Sequence, residues 1–256
     1  MKINFFKYIL IFLIIILSSL LYLTFIGIET KKFNQQIQEL IKNKNNNLDI
    51  DLKKIKLTLD PLNFKINVKT IGSTVFYSQR PLPLEYIKTQ ISLVTFFKKK
   101  IISSNFEIET RSILLKDLIT FIRATNNSPQ LFILEKIVKN GQVILNLNFK
   151  FDKNGNIQNN YEIKGLLREG SINLLSQNTF KNINFKFNFT KDNYFFKEIR
   201  FITKNTNFFS KKFNIKKEKN IFFLEGIVEN NKSKLNSNLL NLFKLNQEDI
   251  DFSNSN

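Results

Sequence analysis

Three groups of acidic residues are where side-chain chemistry could gather in this chain: Asp49/Asp51, Glu107/Glu109 and Glu248/Asp249/Asp251. Paired carboxylates can divide general acid and base roles between them, or hold a divalent cation. The partners that such chemistry usually needs are missing. The sequence has no histidine and no cysteine, which removes the commonest general base, the usual zinc ligands and any thiol nucleophile. With seven glycines, it carries neither a G-x-G-x-x-G run nor a Walker-type loop. The first two pairs lie two residues apart in alternating stretches, so they share the solvated face of a strand, and the third group falls in a loop or tail. Catalysis is therefore not expected, nor is a cofactor or a metal.

The elements around these acids are sharply divided. Residues 8–28 (YILIFLIIILSSLLYLTFIGI) have no charge, and as a helix they would extend roughly 31 Å, about one bilayer core. The run is longer than the ~7–15 residues of a signal-peptide core and lacks an A-x-A-like cleavage site, so an uncleaved signal-anchor over 1–28 is the expectation, with a cleaved signal as the alternative. Flanking charge does not orient it, because Lys2 and Lys7 on one side face Lys31, Lys32, Lys42 and Lys44 on the other. In residues 29–47, Phe33, Ile37, Leu40 and Ile41 recur at helical spacing, which predicts a juxtamembrane helix and linker.

From Leu48 the period becomes two. Leu48, Ile50 and Leu52, then Ile55, Leu57 and Leu59, read as strands. Asp60-Pro61 marks a turn, with Leu62, Phe64, Ile66 and Val68 as the return strand. Pro81 and Pro83 keep 80–84 extended, two or three strands follow through Ile113–Leu115, and Lys98–Lys100 reads as a turn. Two short helices are predicted over 115–124 and 129–139, the second capped by Ser128 with proline at its first position. These elements make up a first β-rich region, 48–140.

The clearest alternation fills 141–256. Val143, Leu145, Leu147, Phe149 and Phe151 fall on one strand face. Asn154-Gly155 is a hairpin turn, and Tyr161 and Ile163 lie on its return strand. Gly165 and Gly170 read as the next turn, before Ile172 and Leu174. Ile183, Phe185, Phe187 and Phe189 then alternate with polar residues, Lys191–Asn193 turns the chain, and strands recur near 208–215 and 221–228. The fold class is α+β, mainly β: an N-terminal transmembrane helix, then a curved antiparallel sheet with a few short helices. A one-sided sheet must cover its apolar face with helices, a second sheet or something other than protein, and residues 115–139, with a further possible helix at 235–243, offer little cover. Ordinary core packing and a groove for acyl chains both remain open for the eleven residues Val143, Leu145, Leu147, Phe149, Phe151, Tyr161, Ile163, Ile183, Phe185, Phe187 and Phe189.

The anchor and short helix, then LDIDLKKIKLTLDPLNFKINV, PLPLEYIKTQISLVTFF, KKKIISSNFEIETRSILLKDL and VKNGQVILNLNFKFDKNGNIQNNYEIKGLLREGSINL, resemble the start of proteins of the AsmA/TamB superfamily of bacterial envelope proteins. The resemblance covers nearly the whole chain and consists of spacing and alternation. It implies an inner-membrane, single-pass protein with a cytoplasmic N-terminus and a periplasmic body. It also implies a trough-like sheet whose apolar interior handles phospholipid, or a part in outer-membrane biogenesis. This chain is short for such a role: about twelve strands give a trough of only some 55 Å. Its ending, QEDIDFSNSN, reads as a strand just beginning, as in a truncated chain.

Membrane lipid is thus the expected partner, with envelope proteins at exposed sheet edges as the alternative. The net charge of +18 would suit nucleic acid or anionic lipid. The lysines are spread along the chain rather than clustered with aromatics, however, so nucleic acid is not expected.

Overall fold

The computed structural model describes residues 2–93, 105–152, 157–174, 178–219 and 221–230. The readings at Lys98–Lys100, Ile101–Ile102, Asn154-Gly155, 235–243, Glu248/Asp249/Asp251 and the final residues lie outside these.

Helix α1 (Lys2–Phe25) is built from Leu, Ile and Phe without a charge after Lys7, so it has no polar face to turn to water. Its stretch Phe6–Phe25 is long and apolar enough to cross a membrane, with mean hydropathy 2.6 and none of it buried. Ile26 and Gly27 both donate to Tyr22 O at 2.9 Å, and Gly27 takes the left-handed conformation (φ 74°) that ends the helix. A Cβ on Gly27 would stand 2.3 Å from Leu57 O, so only glycine lets the chain pass this close to its neighbour. Where the sequence suggests helix from residue 29, the β-branched pair Ile28 and Thr30 instead forms a short strand, β1 (Ile28–Thr30), against β3 (Lys54–Asp60). Helix α2 (Asn34–Lys44) follows and packs Ile37 and Ile41 onto Ile50, Leu52 and Ile55.

The remaining elements are β2 (Leu48–Asp51), β4 (Lys65–Ile71), β5 (Thr74–Tyr77), β6 (Arg80–Ser92), β7 (Asn105–Thr110), β8 (Ile113–Leu114), α3 (Leu115–Thr125), α4 (Pro129–Ile137) and β9 (Val138–Lys150). Then come β10 (Glu162–Leu174), β11 (Asn178–Phe189), β12 (Asn193–Thr203), β13 (Thr206–Glu218), β14 (Ile221–Gly226) and β15 (Glu229–Asn230). They form one open antiparallel sheet in the order β1-β3-β4-β6-β7-β9-β10-β11-β12-β13-β14, with β2, β5, β8 and β15 paired alongside. Helices α3 and α4 pack on β5, β6 and β8–β10. Leu131 N donates to Ser128 Oγ at 3.3 Å, the cap expected of Ser128-Pro129.

Two further sequence readings are corrected. The return strand after Asp60 begins at Lys65, not Leu62. Asp60 accepts from Asn63 N (3.1 Å) and Asn63 Nδ2 (2.9 Å), and Phe64 sits at φ 50°, so Leu62 and Phe64 belong to the turn. Gly165 and Gly170 do not form a turn but lie within β10. A Cβ at Gly165 would fall 2.3 Å from Phe187 Cζ, and one at Gly170 would be 3.1 Å from Ile183 Cβ, so each glycine makes room for a large neighbour on β11.

Bulges cross the sheet in a line. Positive φ at Gly141, Glu169, Asn182 and Glu198 interrupts β9, β10, β11 and β12, with register skips between Leu167 and Gly170 and between Lys181 and Asn184. Such bulges bend the strand and shift its alternation by one. The apolar set in β10 accordingly changes from Ile163 and Leu167 to Gly170 and Ile172. The bulge amide of Glu169 is kept satisfied by Asn184 Oδ1 at 3.0 Å.

Candidate functional site

The pairing register assembles the apolar side chains into rows that run across the strands. The longest is Ile87–Ile108–Leu147–Ile163–Phe189–Tyr194–Ile215–Leu224, one residue from each of eight strands, β6 to β14 without the short β8. Directly opposed residues share a face, so this is an unbroken apolar strip of roughly 34 Å at ~4.8 Å per strand. Beside it lies Leu145–Gly165–Phe187–Phe196–Phe213–Gly226. On the other flank, Ile28–Leu57–Val68–Thr89–Phe106–Phe149 begins three residues after the end of α1. Apolar surface therefore continues from the mouth of the N-terminal helix to the far edge of the sheet.

Rings fill these rows. Phe187 stacks on Phe189 at 4.7 Å, and Phe196 meets the edges of Phe185 and Phe189 at 5.4 and 5.3 Å. Phe106 stacks on Phe149 at 5.7 Å, and Phe151 stands edge-on to both. Offset and edge-to-face contacts of this kind add stability beyond the buried area.

The eleven residues marked by alternation divide into three sets. Val143 and Leu145 are buried with Ile113, Leu118 and Leu167 where α3 closes over β9. Leu147, Ile183, Phe185 and Phe187 pack at the border of that cluster and stay half-buried. Phe149, Phe151, Tyr161, Ile163 and Phe189 are half-buried farther out. The sequence places Ile87, Phe106 and Ile108 on strands without assigning them to this face, and does not single out Tyr194, Phe196, Phe213, Ile215 or Leu224; all eight extend the rows. The motif FFKEIRFIT carries phenylalanine at both 195 and 196, and only the pairing of Phe196 with Phe187 and Phe213 shows which one joins the face. Phe195 lies on the other side, with Lys197 Nζ and Lys212 Nζ at 5.2 and 5.1 Å from its ring.

That opposite face holds the acid pair of β7. Tyr86 Oη is 2.7 Å from Glu107 Oε1 and 3.0 Å from Glu109 Oε2, and Asn146 Nδ2 is 3.3 Å from a carboxylate oxygen of each. Lys88 Nζ approaches Glu107 at 3.7 Å. The Tyr86 hydrogen bond, with help from Asn146 and Lys88, holds the Glu107 carboxyl below its ordinary range. Burial first, and then the two carboxylates, push the Tyr86 phenol well above the usual tyrosine range. Glu107 and Glu109 are thus tied into a cross-strand clasp of donors and counter-charge. Asp49 of the other pair is held similarly, its Oδ1 accepting from Gln38 Nε2 and from Ile50 N. Among the described residues, no three of His, Cys, Asp and Glu come together as a metal site would require.

No family model, curated protein or solved structure matches this chain.

Proposed function

We propose that the chain is a membrane-anchored lipid-handling module of the AsmA/TamB kind, in which α1 spans a bilayer and the apolar rows of a trough-shaped sheet carry acyl chains. The observation that supports it most is the eight-strand strip from Ile87 to Leu224, which lies on the same face as the row that starts beside α1. Removing apolar area from water at ~25 cal/mol per Å² drives an acyl chain onto such a surface with no need for a specific polar contact. Glu107 and Glu109 lie on the opposite face, held by Tyr86 and Asn146, and the reading is non-catalytic. On the superfamily reading, α1 lies in a bacterial inner membrane with the sheet in the periplasm.

The test is lipid co-purification. Detergent-extracted full chain, analysed by mass spectrometry, carries phospholipid, whereas Leu147→Asp and Phe187→Asp lose it while keeping the β-sheet circular dichroism of the parent. Equal lipid in parent and variants would count against the face as the binding surface.

A second reading is favoured by β14, whose Ile221, Phe222, Phe223 and Leu224 are 60%, 54%, 51% and 65% exposed and so apolar toward both faces. A strand of that composition is suited to sheet on both sides, which would make the protein an assembly factor that recruits a partner strand. In that case crosslinks from Phe223 go to protein and the apolar rows carry no lipid.

A further inference from the structure

We infer that the β3–β4 turn, residues 61–64, is a membrane-contacting tip. It seats the first strands of the sheet in the surface of the same bilayer that α1 enters. The inference rests on the reading of α1 as a membrane span and adds to it a second, independent contact with lipid.

Leu62 is 91% exposed and Phe64 is 66% exposed. They are not loosely held. Asp60 accepts both hydrogen bonds of Asn63, and Phe64 O accepts from Leu93 N at 2.8 Å, which fixes the base of the turn to the end of β6. Turn chemistry is supplied by Asp60, Pro61 and Asn63. It makes no demand for leucine at 62 or phenylalanine at 64, where a polar residue would form the same turn without exposing apolar surface. The Phe64 backbone is moreover left-handed (φ 50°), a conformation uncommon for a bulky residue. Two large apolar side chains are thus held outward on a fixed support.

The position of α1 identifies what they face. Gly27 lies against Leu57 and Thr58, and β1 runs antiparallel to β3. Going back along the chain from Ile28 therefore moves along β3 from Leu57 toward Asp60, so α1 reaches the sheet from its turn end. Leu62 is four residues beyond Thr58, so at most about 13 Å from it. The β11–β12 turn emerges at the same end of the sheet but many strands away from α1, and it presents Lys191, Asp192 and Asn193, all exposed and polar. Exposed apolar residues are thus not common to every turn at this end of the sheet, and those at 62 and 64 stand beside the helix that enters the bilayer. The row Leu59–Ile66–Ile91 is the first above the turn on the apolar face, so a seated tip would bring the beginning of that face to the lipid surface.

The absence of cysteine allows single-site labelling of the full chain. An environment-sensitive fluorophore is placed by cysteine substitution at Leu62, Ile14, Asp192 or Ser112, and each protein is reconstituted in nanodiscs of phosphatidylethanolamine and phosphatidylglycerol. The expected result is blue-shifted emission, quenching by nitroxide lipids and loss of iodide quenching at positions 62 and 14, with iodide quenching retained at 192 and 112. The probe at 192 shows that the fluorophore does not insert by itself. Protection at position 14 with full iodide access at 62 would overturn the tip and leave the anchor standing. Iodide access at 14 would overturn the span, and the tip with it.

Discussion

Val143 and Leu145 are 2% and 9% exposed, whereas Leu147 and Phe149, next on the same face of the same strand, are half-buried. The side chains are of one kind and the backbone is continuous. What differs is the cover: Leu118 of α3 joins the first pair in one buried cluster, which Leu147 meets only at its border. One strand thus contributes to a closed core at one end and to an open apolar surface at the other. Alternation specifies which face is apolar, and the cover over that face decides whether it is core or binding surface.

The largest effect is expected where the face is closed. Val143→Asp buries a carboxylate with no counter-charge, at a cost of about 4 kcal/mol or more, and is expected to leave the chain without a cooperative unfolding transition by circular dichroism. Gly165→Ala comes next. The new methyl meets Phe187 Cζ at 2.3 Å and Ile144 O at 2.7 Å, so overpacking of about 1–3 kcal/mol is expected, together with a displaced Phe187 ring and weaker lipid retention. Because the clash lies on the open surface, the near-ultraviolet signal of Phe187 and its neighbours should change while hydrogen exchange at Val143 stays slow. If exchange at Val143 accelerates equally, the two regions form a single core.

Tyr86→Phe probes the opposite face. It removes the hydroxyl shared by Glu107 and Glu109, with an expected loss of about 1–2 kcal/mol in denaturant unfolding and unchanged lipid binding. The same clasp sets a pH dependence. The Glu107 carboxyl is held below its ordinary value of 4.5, and Glu135, held by Thr120 and Arg123, is lowered in the same sense. Each contribution is fully present above that ordinary value and is lost as pH falls through the lower folded-state value. Unfolding midpoints should therefore be flat above about pH 5 and decline below it, less steeply in Tyr86→Phe. Phe187→Asp gives up part of the ring's burial and its stacking on Phe189, a loss of about 1–3 kcal/mol, and is expected to keep the cooperative transition that Val143→Asp abolishes. Destabilisation as large as that of Val143→Asp would erase the distinction between the two regions.

Much of this architecture was legible from residues 48–60 and 141–215, where period-two alternation follows directly from strand geometry. The helix pair was legible too, through Ser128-Pro129. The glycines of β10 were not, because glycine in a turn and glycine beneath an aromatic ring look alike until the register places Gly165 opposite Phe187. Leu62 and Phe64 continued the alternation of Ile66 and Val68, and only the Asp60–Asn63 hydrogen bonds show where the turn ends. The rows themselves depend on long-range pairing: β7 meets β9 across two helices, so no local pattern connects Phe106 to Phe149. The bulge line was likewise hidden, since Glu169 and Glu198 have no leaning toward a left-handed backbone and that of Asn182 is shared by the chain's many other asparagines.

The decisive measurement is in-cell photo-crosslinking from a benzophenone amino acid at Phe187 and at Leu147, with Lys150 on the opposite face as control, followed by mass spectrometry of the adducts. Phospholipid adducts at Phe187 and Leu147, and none at Lys150, are the outcome expected of an open lipid-binding face. Adducts only within the chain or to other proteins at Phe187 and Leu147 would contradict it and make the strip a core or a protein interface.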